Sequence, residues 1–134
     1  MKDSHMATNA LNQNELEALR ILWEHGELKP AEIQARFSWP IENATLRSVL
    51  VNLVAKRHAR RRMAGKAFWY AAQVPKQALL ASMLSSLARI FTQGSHEELV
   101  LQLLETARLS PDELKALEQA AAGKPAQKAK GKSR

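Results

Sequence analysis

One stretch constrains this chain more than any other: NATLRSVLVNLVAKR, residues 43–57. Leu46, Val49, Leu50, Leu53 and Val54 recur at i, i+3, i+4, i+7 and i+8, the spacing of one buried helical stripe. The opposite face carries Thr45, Arg47, Ser48, Val51 and Asn52 and holds no acid. A helix of this kind has to be clamped along its apolar side while its polar side stays available. Asn43 is the expected cap, and the helix is expected to end near Arg57.

The segments around it complete a small architecture. Asn12 or Asn14 can cap a first helix, with Glu15 and Glu17 in the first turn where the helix dipole favours acids. Leu16, Leu19, Ile21, Leu22 and Trp23 form its apolar side, and Gly26 reads as its stop. GELK is a short extended link. Pro30 opens a second helix to Phe37, which the Ser-Trp-Pro at 38–40 terminates, because a residue before proline avoids helical backbone. After residue 57, HARRRM and AFWYAA flank a glycine-containing turn and read as a hairpin. Alternation puts Phe68 and Tyr70 on one side and Trp69 on the other, and sends Arg60 and Arg62 one way and Arg61 the other. Helix, short strand, helix, helix, hairpin is the order of a winged helix-turn-helix. The expected fold class is mainly α with a small β wing: a winged helix over 10–74 followed by a C-terminal helical dimerisation segment.

Residues 75–122 read as three helices. Pro75 begins one that runs to about Phe91, with Leu84, Leu87 and Phe91 in its stripe. Ser95 and Glu98 fit a capping box opening a second, which holds Leu99, Val100, Leu101, Leu103 and Leu104 almost all round. Ser110-Pro111-Asp112-Glu113 starts a third, anchored by Leu114 and Leu117. Forty-eight residues are few for an independent core, yet their apolar surface exceeds what one thin layer hides. A second copy of the chain is the simplest cover, so a twofold homodimer through these residues is expected. From 123 the tail GKPAQKAKGKSR lacks apolar periodicity and is expected to be disordered. It is either a weak arm on a polyanion or simply solvating. MKDSHM reads as an added leader, so 1–9 is set aside as leader and flexible terminus, with Met6 near the natural start.

The net charge of +7 is uneven. Residues 7–74 hold ten Lys/Arg against six Asp/Glu, residues 75–122 four against six, and 123–134 five against none. Basic balance in the folded N-terminal half favours a polyanion partner. There is no cysteine, which excludes disulfides, thiolate zinc sites and a cysteine nucleophile. No apolar run approaches the roughly 20 residues of a membrane helix, and no secretory signal is visible, so the expected setting is the cytoplasm. His25, His58 and His96 are scattered without ligand spacing, and no glycine-rich phosphate loop occurs. The chain therefore reads as a non-enzyme without metal or cofactor.

The helix at 43–57 has what major-groove reading requires: a stripe that fixes it and an outward face that reaches base edges. Thr45, Arg47, Ser48 and Asn52 are the candidate base contacts, with Arg47 able to donate two bonds to guanine. Lys56, Arg60, Arg62 and Lys66, around the helix end and wing, are the candidate contacts to phosphate. The expected partner is double-stranded DNA. The alternative is a winged helix used as a protein-interaction adapter, which the apolar Val51 on the outward face fits best.

These segments resemble the BlaI/MecI/CopY family of penicillinase-type repressors. The resemblance lies in LNQNELEALRILWEHGELKPAEIQARF, in NATLRSVLVNLVAKR with its Thr-Leu-Arg at Thr45–Arg47, in GKAFWYAA and in GSHEELVLQLLETARLSPDELKALEQ. It covers about residues 10–120. It implies a homodimeric repressor that occupies an inverted-repeat operator, with Thr45 and Arg47 in the base-reading places. Some members of that family are inactivated by a cut in the dimerisation region, where this chain has Gln102 and Leu103 instead of the usual pair. Copper-responsive members use C-terminal cysteines, which are absent here. Arg57 stands where a helix-ending glycine is common; arginine there would strain a left-handed cap, or the helix ends differently.

Overall fold

The computed structural model describes residues 10–132, with side chains to residue 123. The expected leader at 1–9 lies outside the described residues.

Helix α1 (Gln13–His25) starts at Asn12, the first of the two candidate caps. Asn12 Oδ1 accepts from the Glu15 amide at 2.8 Å, and the Asn12 amide donates back to Glu15 Oε1 at 3.0 Å, a reciprocal capping box. The helix ends where Gly26 takes φ +80, a conformation that favours glycine. Helix α2 (Pro30–Arg36) has proline in its first turn. Helix α3 (Asn43–Ala55) follows, then strands β1 (Ala59–Ala64) and β2 (Ala67–Ala72). The strands pair antiparallel, Arg60 opposite Ala71 and Met63 opposite Phe68. Gly65 at φ +66 makes the two-residue turn between them. Leu28, in the expected extended link, bridges Tyr70 with two backbone bonds of 2.8 and 2.9 Å, which adds a minimal third strand beside β2.

The N-terminal core is the meeting of these elements. Ala18, Leu19, Ile21 and Leu22 of α1, Ile33 of α2, Leu46, Val49, Leu50 and Leu53 of α3, and Leu28, Ala59 and Tyr70 of the sheet are all buried. Each large aliphatic side chain so buried contributes roughly 1.5–3 kcal/mol. Polar ties join α1 to its surroundings. Trp23 Nε1 donates to the Val74 carbonyl at 2.9 Å. Glu17, read from sequence only as a dipole-favoured acid, is buried and accepts from Arg20 at 2.7 Å and from the Ser38 amide and hydroxyl at 2.9 and 2.7 Å. That carboxylate therefore fixes the bend between α2 and α3.

Helix α4 (Lys76–Thr92) follows the wing, and two compact units divide within it, after Ala81. The sequence pattern puts the boundary at 74/75, between the wing and this helix. In the second unit the Thr92 hydroxyl donates to Ala88 and Ser95 carbonyls, and Gln93 and Gly94 take positive φ to reverse the chain. Helix α5 (His96–Ala107) is capped by Ser95, whose Oγ accepts from the Glu98 amide at 3.0 Å. Helix α6 (Pro111–Lys132) opens with a reciprocal Ser110–Glu113 box, at 2.8 and 3.1 Å. Its backbone stays helical beyond residue 123, where the sequence suggested a disordered tail. Alanine, lysine and glutamine there favour helix even without an apolar stripe, against Gly123, Pro125 and Gly131, which disfavour it. The side chains of this extension lie outside the described residues.

The buried carboxylate makes the fold acid-sensitive in a specific window. Arg20 foremost, with Ser38, holds Glu17 down at about 2 from an ordinary 4.5, against the opposing effect of burial. The stability this supplies is complete above pH 4.5 and is lost as pH falls toward 2. Glu17→Gln should cost on the order of 1–2 kcal/mol at pH 7, since solvent screens Arg20, and much less at pH 3. Urea melts at the two pH values measure this; equal losses would mean that the charge is not the cause.

Candidate nucleic-acid interface

The polar side of α3 is open. Thr45, Arg47, Ser48 and Asn52 are all exposed, as is Val51, while Leu46, Val49, Leu50 and Leu53 on the reverse side are buried. The expected stripe thus sets the rotation of the helix, and all four candidate base-contacting residues share one solvent-facing surface. The cap differs from expectation. Glu42 is the N-cap and makes no side-chain bond, while Asn43 lies inside the first turn. Asn43 Oδ1 instead accepts from Arg47 Nε at 2.7 Å, which lays the guanidinium along the helix surface.

Lys56, expected at a phosphate, is engaged within the chain itself. Its ammonium lies 3.1 Å from both carboxylate oxygens of Glu15 and 3.1 Å from the Ala10 carbonyl. Glu15 is almost wholly buried, so the pair is an internal bolt from the start of α1 to the end of α3. Arg57 then takes φ +67, the strained left-handed conformation that the sequence raised as one outcome. His58 turns the chain into the wing: its amide donates to Leu53, and its carbonyl accepts from Gln73 and Val74. The imidazole packs inward, and its Nε2 has no hydrogen-bond partner. Burial, with Lys56 acting the same way and Glu15 opposing, holds His58 below the usual imidazole range. Packing at the helix exit, rather than reaching outward, is therefore what His58 does.

The wing has two unlike faces. Arg60, Arg62 and Trp69 share one. There Arg62 forms a two-point pair with Glu27, at 2.6 and 2.8 Å, and Lys29 lies 5.4 Å over the Trp69 ring. Arg62, expected at a phosphate, is thus already matched by a carboxylate, and the contact holds Glu27 below the usual range. Arg60 and Lys66 are exposed and make no ion pair among the described residues. On the other face Arg61 stacks 4.3 Å from the Phe68 ring.

The candidate dimerisation residues lie in the second unit, where Leu99 is buried and Leu84 and Leu104 are half-buried. Leu87, Phe91, Val100, Leu101, Leu103, Leu114 and Leu117 are exposed. A groove of about 280 Å³ is lined by Leu87, Phe91, Leu99, Gln102, Leu103 and Thr106. Among the described residues no cluster is arranged to hold a metal ion, and no helix is long and apolar enough to cross a membrane.

A fold of this order, with an acid-free outward helix beside a basic hairpin, matches a known family. The family model described as penicillinase repressor fits residues 11–122. The chain belongs to the penicillinase repressor family. That family is one of transcriptional repressors, not of enzymes. The penicillinase repressor of Bacillus licheniformis is 24% identical over 113 residues, covering 81% of this chain and 87% of that protein. Among solved structures, Mycobacterium tuberculosis Rv0081 shares the fold at TM-score 0.51 and 24% identity, over 69% of this chain and 90% of that one. BpsR of Bordetella bronchiseptica, whose DNA binding is regulated by 6-hydroxynicotinic acid, is similar at TM-score 0.49 and 17% identity, over 90% and 84%.

The backbone angle at Arg57 carries a stability prediction of its own. A non-glycine residue at φ +67 is strained by its Cβ, and a glycine would not be. Arg57→Gly should stabilise the protein by roughly 0.5–1 kcal/mol, the relief of strain exceeding the added freedom of the unfolded chain. Chemical denaturation reads the change directly, and a destabilised variant would mean that the Arg57 side chain contributes contacts outweighing its strain.

Proposed function

We propose that this family member is a homodimeric, sequence-specific DNA-binding repressor that blocks transcription by occupying an inverted-repeat operator. The observation that carries this reading is the open face of α3, on which Thr45, Arg47, Ser48 and Asn52 stand clear of a buried leucine and valine stripe. Arg47 leaves Asn43 to donate to a guanine edge, Asn52 meets an adenine or a phosphate, and Thr45 and Ser48 work in the first turns, where helix-turn-helix proteins touch bases. Arg60 and Lys66 meet phosphates. Lys56 and Arg62, already paired with Glu15 and Glu27, hold the helix end and wing in register. The exposed apolar residues of α4 to α6 support pairing of two copies, which sets two α3 helices about 10 base pairs, or a multiple of that, apart on one DNA face. Repression of this kind is occupancy and needs no cofactor; its setting is the cytoplasm.

Selection of bound fragments from a random or genomic duplex library should return an inverted repeat. On that sequence Arg47→Ala should weaken binding by about 1–3 kcal/mol and relax preference at one position per half-site. Equal loss on cognate and scrambled duplex would reduce Arg47 to a phosphate contact. Leu101→Asp places a charge on the exposed side of α5 and should shift the protein toward monomer in sedimentation at micromolar concentration, with loss of tight operator binding. Dimers that persist would move the interface elsewhere. Exposed Val51 favours one second reading, a protein-interaction adapter. Absence of any retardation of random duplex at low salt would support it.

A further inference from the structure

One polar side chain on the open side of α3 has no assigned task. Asn43 opens the helix, and asparagine is favoured at a helix start because its side chain can bond the backbone amides there. In this chain Glu42 holds the cap position, and the Asn43 side chain makes no bond to backbone. Its one hydrogen bond among the described residues goes to Arg47, whose Nε donates to Asn43 Oδ1 at 2.7 Å. Residues four apart share a helix flank. Both are exposed, so the pair stands in solvent without burying either group.

The chemistry of the pair fixes its orientation. An arginine Nε–H can only donate, so the atom facing it is the carbonyl oxygen, and the Asn43 amino group lies on the side away from Nε. Oδ1 has two lone pairs: accepting from Arg47 leaves one for another donor, and both are free when Arg47 turns to a base. The amino group makes no hydrogen bond among the described residues. A donor and an acceptor in one plane are thus offered to solvent beside the Arg47 guanidinium, which makes no ion pair there.

Resting on the reading of the chain as a duplex binder, we propose that Asn43 reads an adenine in the major groove, so that each half-site carries an A·T pair directly beside the G·C pair read by Arg47. On that edge adenine presents its N6 amino group as donor and N7 as acceptor, the complement of a side-chain amide. The spacing agrees: groups joined edge to edge at 2.7 Å match successive base pairs, which stack about 3.4 Å apart. One helical turn on α3 keeps the amide and the guanidinium side by side, so they reach neighbouring pairs and not separated ones. Asn43 is thereby a specificity-determining residue, and with Arg47 it reads a step of two pairs where Arg47 alone reads one.

The test uses the full-length protein and the duplex obtained by selection. The selected half-site should show an A·T pair next to the G·C pair whose preference Arg47→Ala relaxes. Replacing that adenine by 7-deazaadenine removes N7 and keeps both Watson–Crick pairing and the minor groove. The native protein should then lose affinity about five- to tenfold. Asn43→Ala should be indifferent to this replacement and to exchange of the A·T pair, while its preference at the G·C pair persists. A 7-deazaadenine penalty that is absent from the native protein, or undiminished in Asn43→Ala, overturns the proposal. So does a loss of preference confined to the G·C pair in that variant, since Asn43 then only holds Arg47 in place. A selected repeat with no A·T pair beside that G·C pair overturns it as well, and leaves the repressor reading standing. Absence of any sequence preference in the native protein is a different failure, in which the repressor reading falls too. Each comparison is between two duplexes bound by one variant, so a change in folded fraction cancels.

Discussion

The seam between α3 and the rest of the N-terminal unit governs this structure. Leu46, Leu50 and Leu53 are almost completely buried, so the helix has one rotational setting that keeps them from water. That setting determines which residues face outward. The buried Glu15–Lys56 pair fixes the remaining freedom, translation and splay at the C-terminal end, by tying it to the capped start of α1. Such a pair adds little net stability, yet loss of the half-buried Lys56 would leave the buried Glu15 carboxylate without its cation. The stripe thus supplies most of the energy and the ion pair the position. Glu15 serves both, because the carboxylate that receives Lys56 also closes the capping box on Asn12.

Electrostatics at the outward surface is a matter of which cations are already matched. The basic run from Lys56 to Lys66 looks uniform in the sequence but separates in space. Lys56 and Arg62 are matched by Glu15 and Glu27, and both are drawn back onto the body of the fold. Arg47, Arg57, Arg60, Arg61 and Lys66 make no ion pair among the described residues. Cations with carboxylate partners release fewer counterions when a polyanion arrives, because the partner has to be displaced first. The salt dependence of binding should therefore follow the unmatched set and not the count of basic residues.

Local signals in the sequence carried much of this. The i, i+3, i+4, i+7 stripe gave α3 and its open face, the glycine turn gave the wing, and strict alternation gave its two sides. Most of what was not legible shares one property: it joins residues far apart in the chain. Glu15 and Lys56 are 41 positions apart, and Glu27 and Arg62 are 35. Seen alone, Glu15 and Glu17 are ordinary first-turn acids, and Lys56 is an ordinary exposed base. Only the packing of α1 across α3 turns them into buried partners. The Leu28–Tyr70 bridge was hidden for the same reason, since a single extended residue has no periodicity to read. The reach of α6 beyond residue 123 has a different origin, because backbone propensity without an apolar stripe leaves no pattern.

The second unit poses the opposite problem to the first: its helices are clear, and much of their apolar surface stays uncovered. Leu99 is buried, whereas Val100, Leu101 and Leu103 on the same helix are about half exposed. Helix α5 therefore contributes one row of its side chains to the chain's own packing and leaves the others open. Open leucines on α5 and α6, with Phe91 and Ile90 on α4, form far more apolar surface than isolated exposed residues, which need no explanation. In the proposed dimer this surface supplies association, and the α3 helices supply recognition. The two then reinforce each other, because once one α3 is seated the second binds as a tethered group at high effective concentration. In that proposed arrangement, weak reading by each helix alone would suffice for a tight complex once both are joined. A signal that opens the leucine surface would release DNA without touching one base-reading residue.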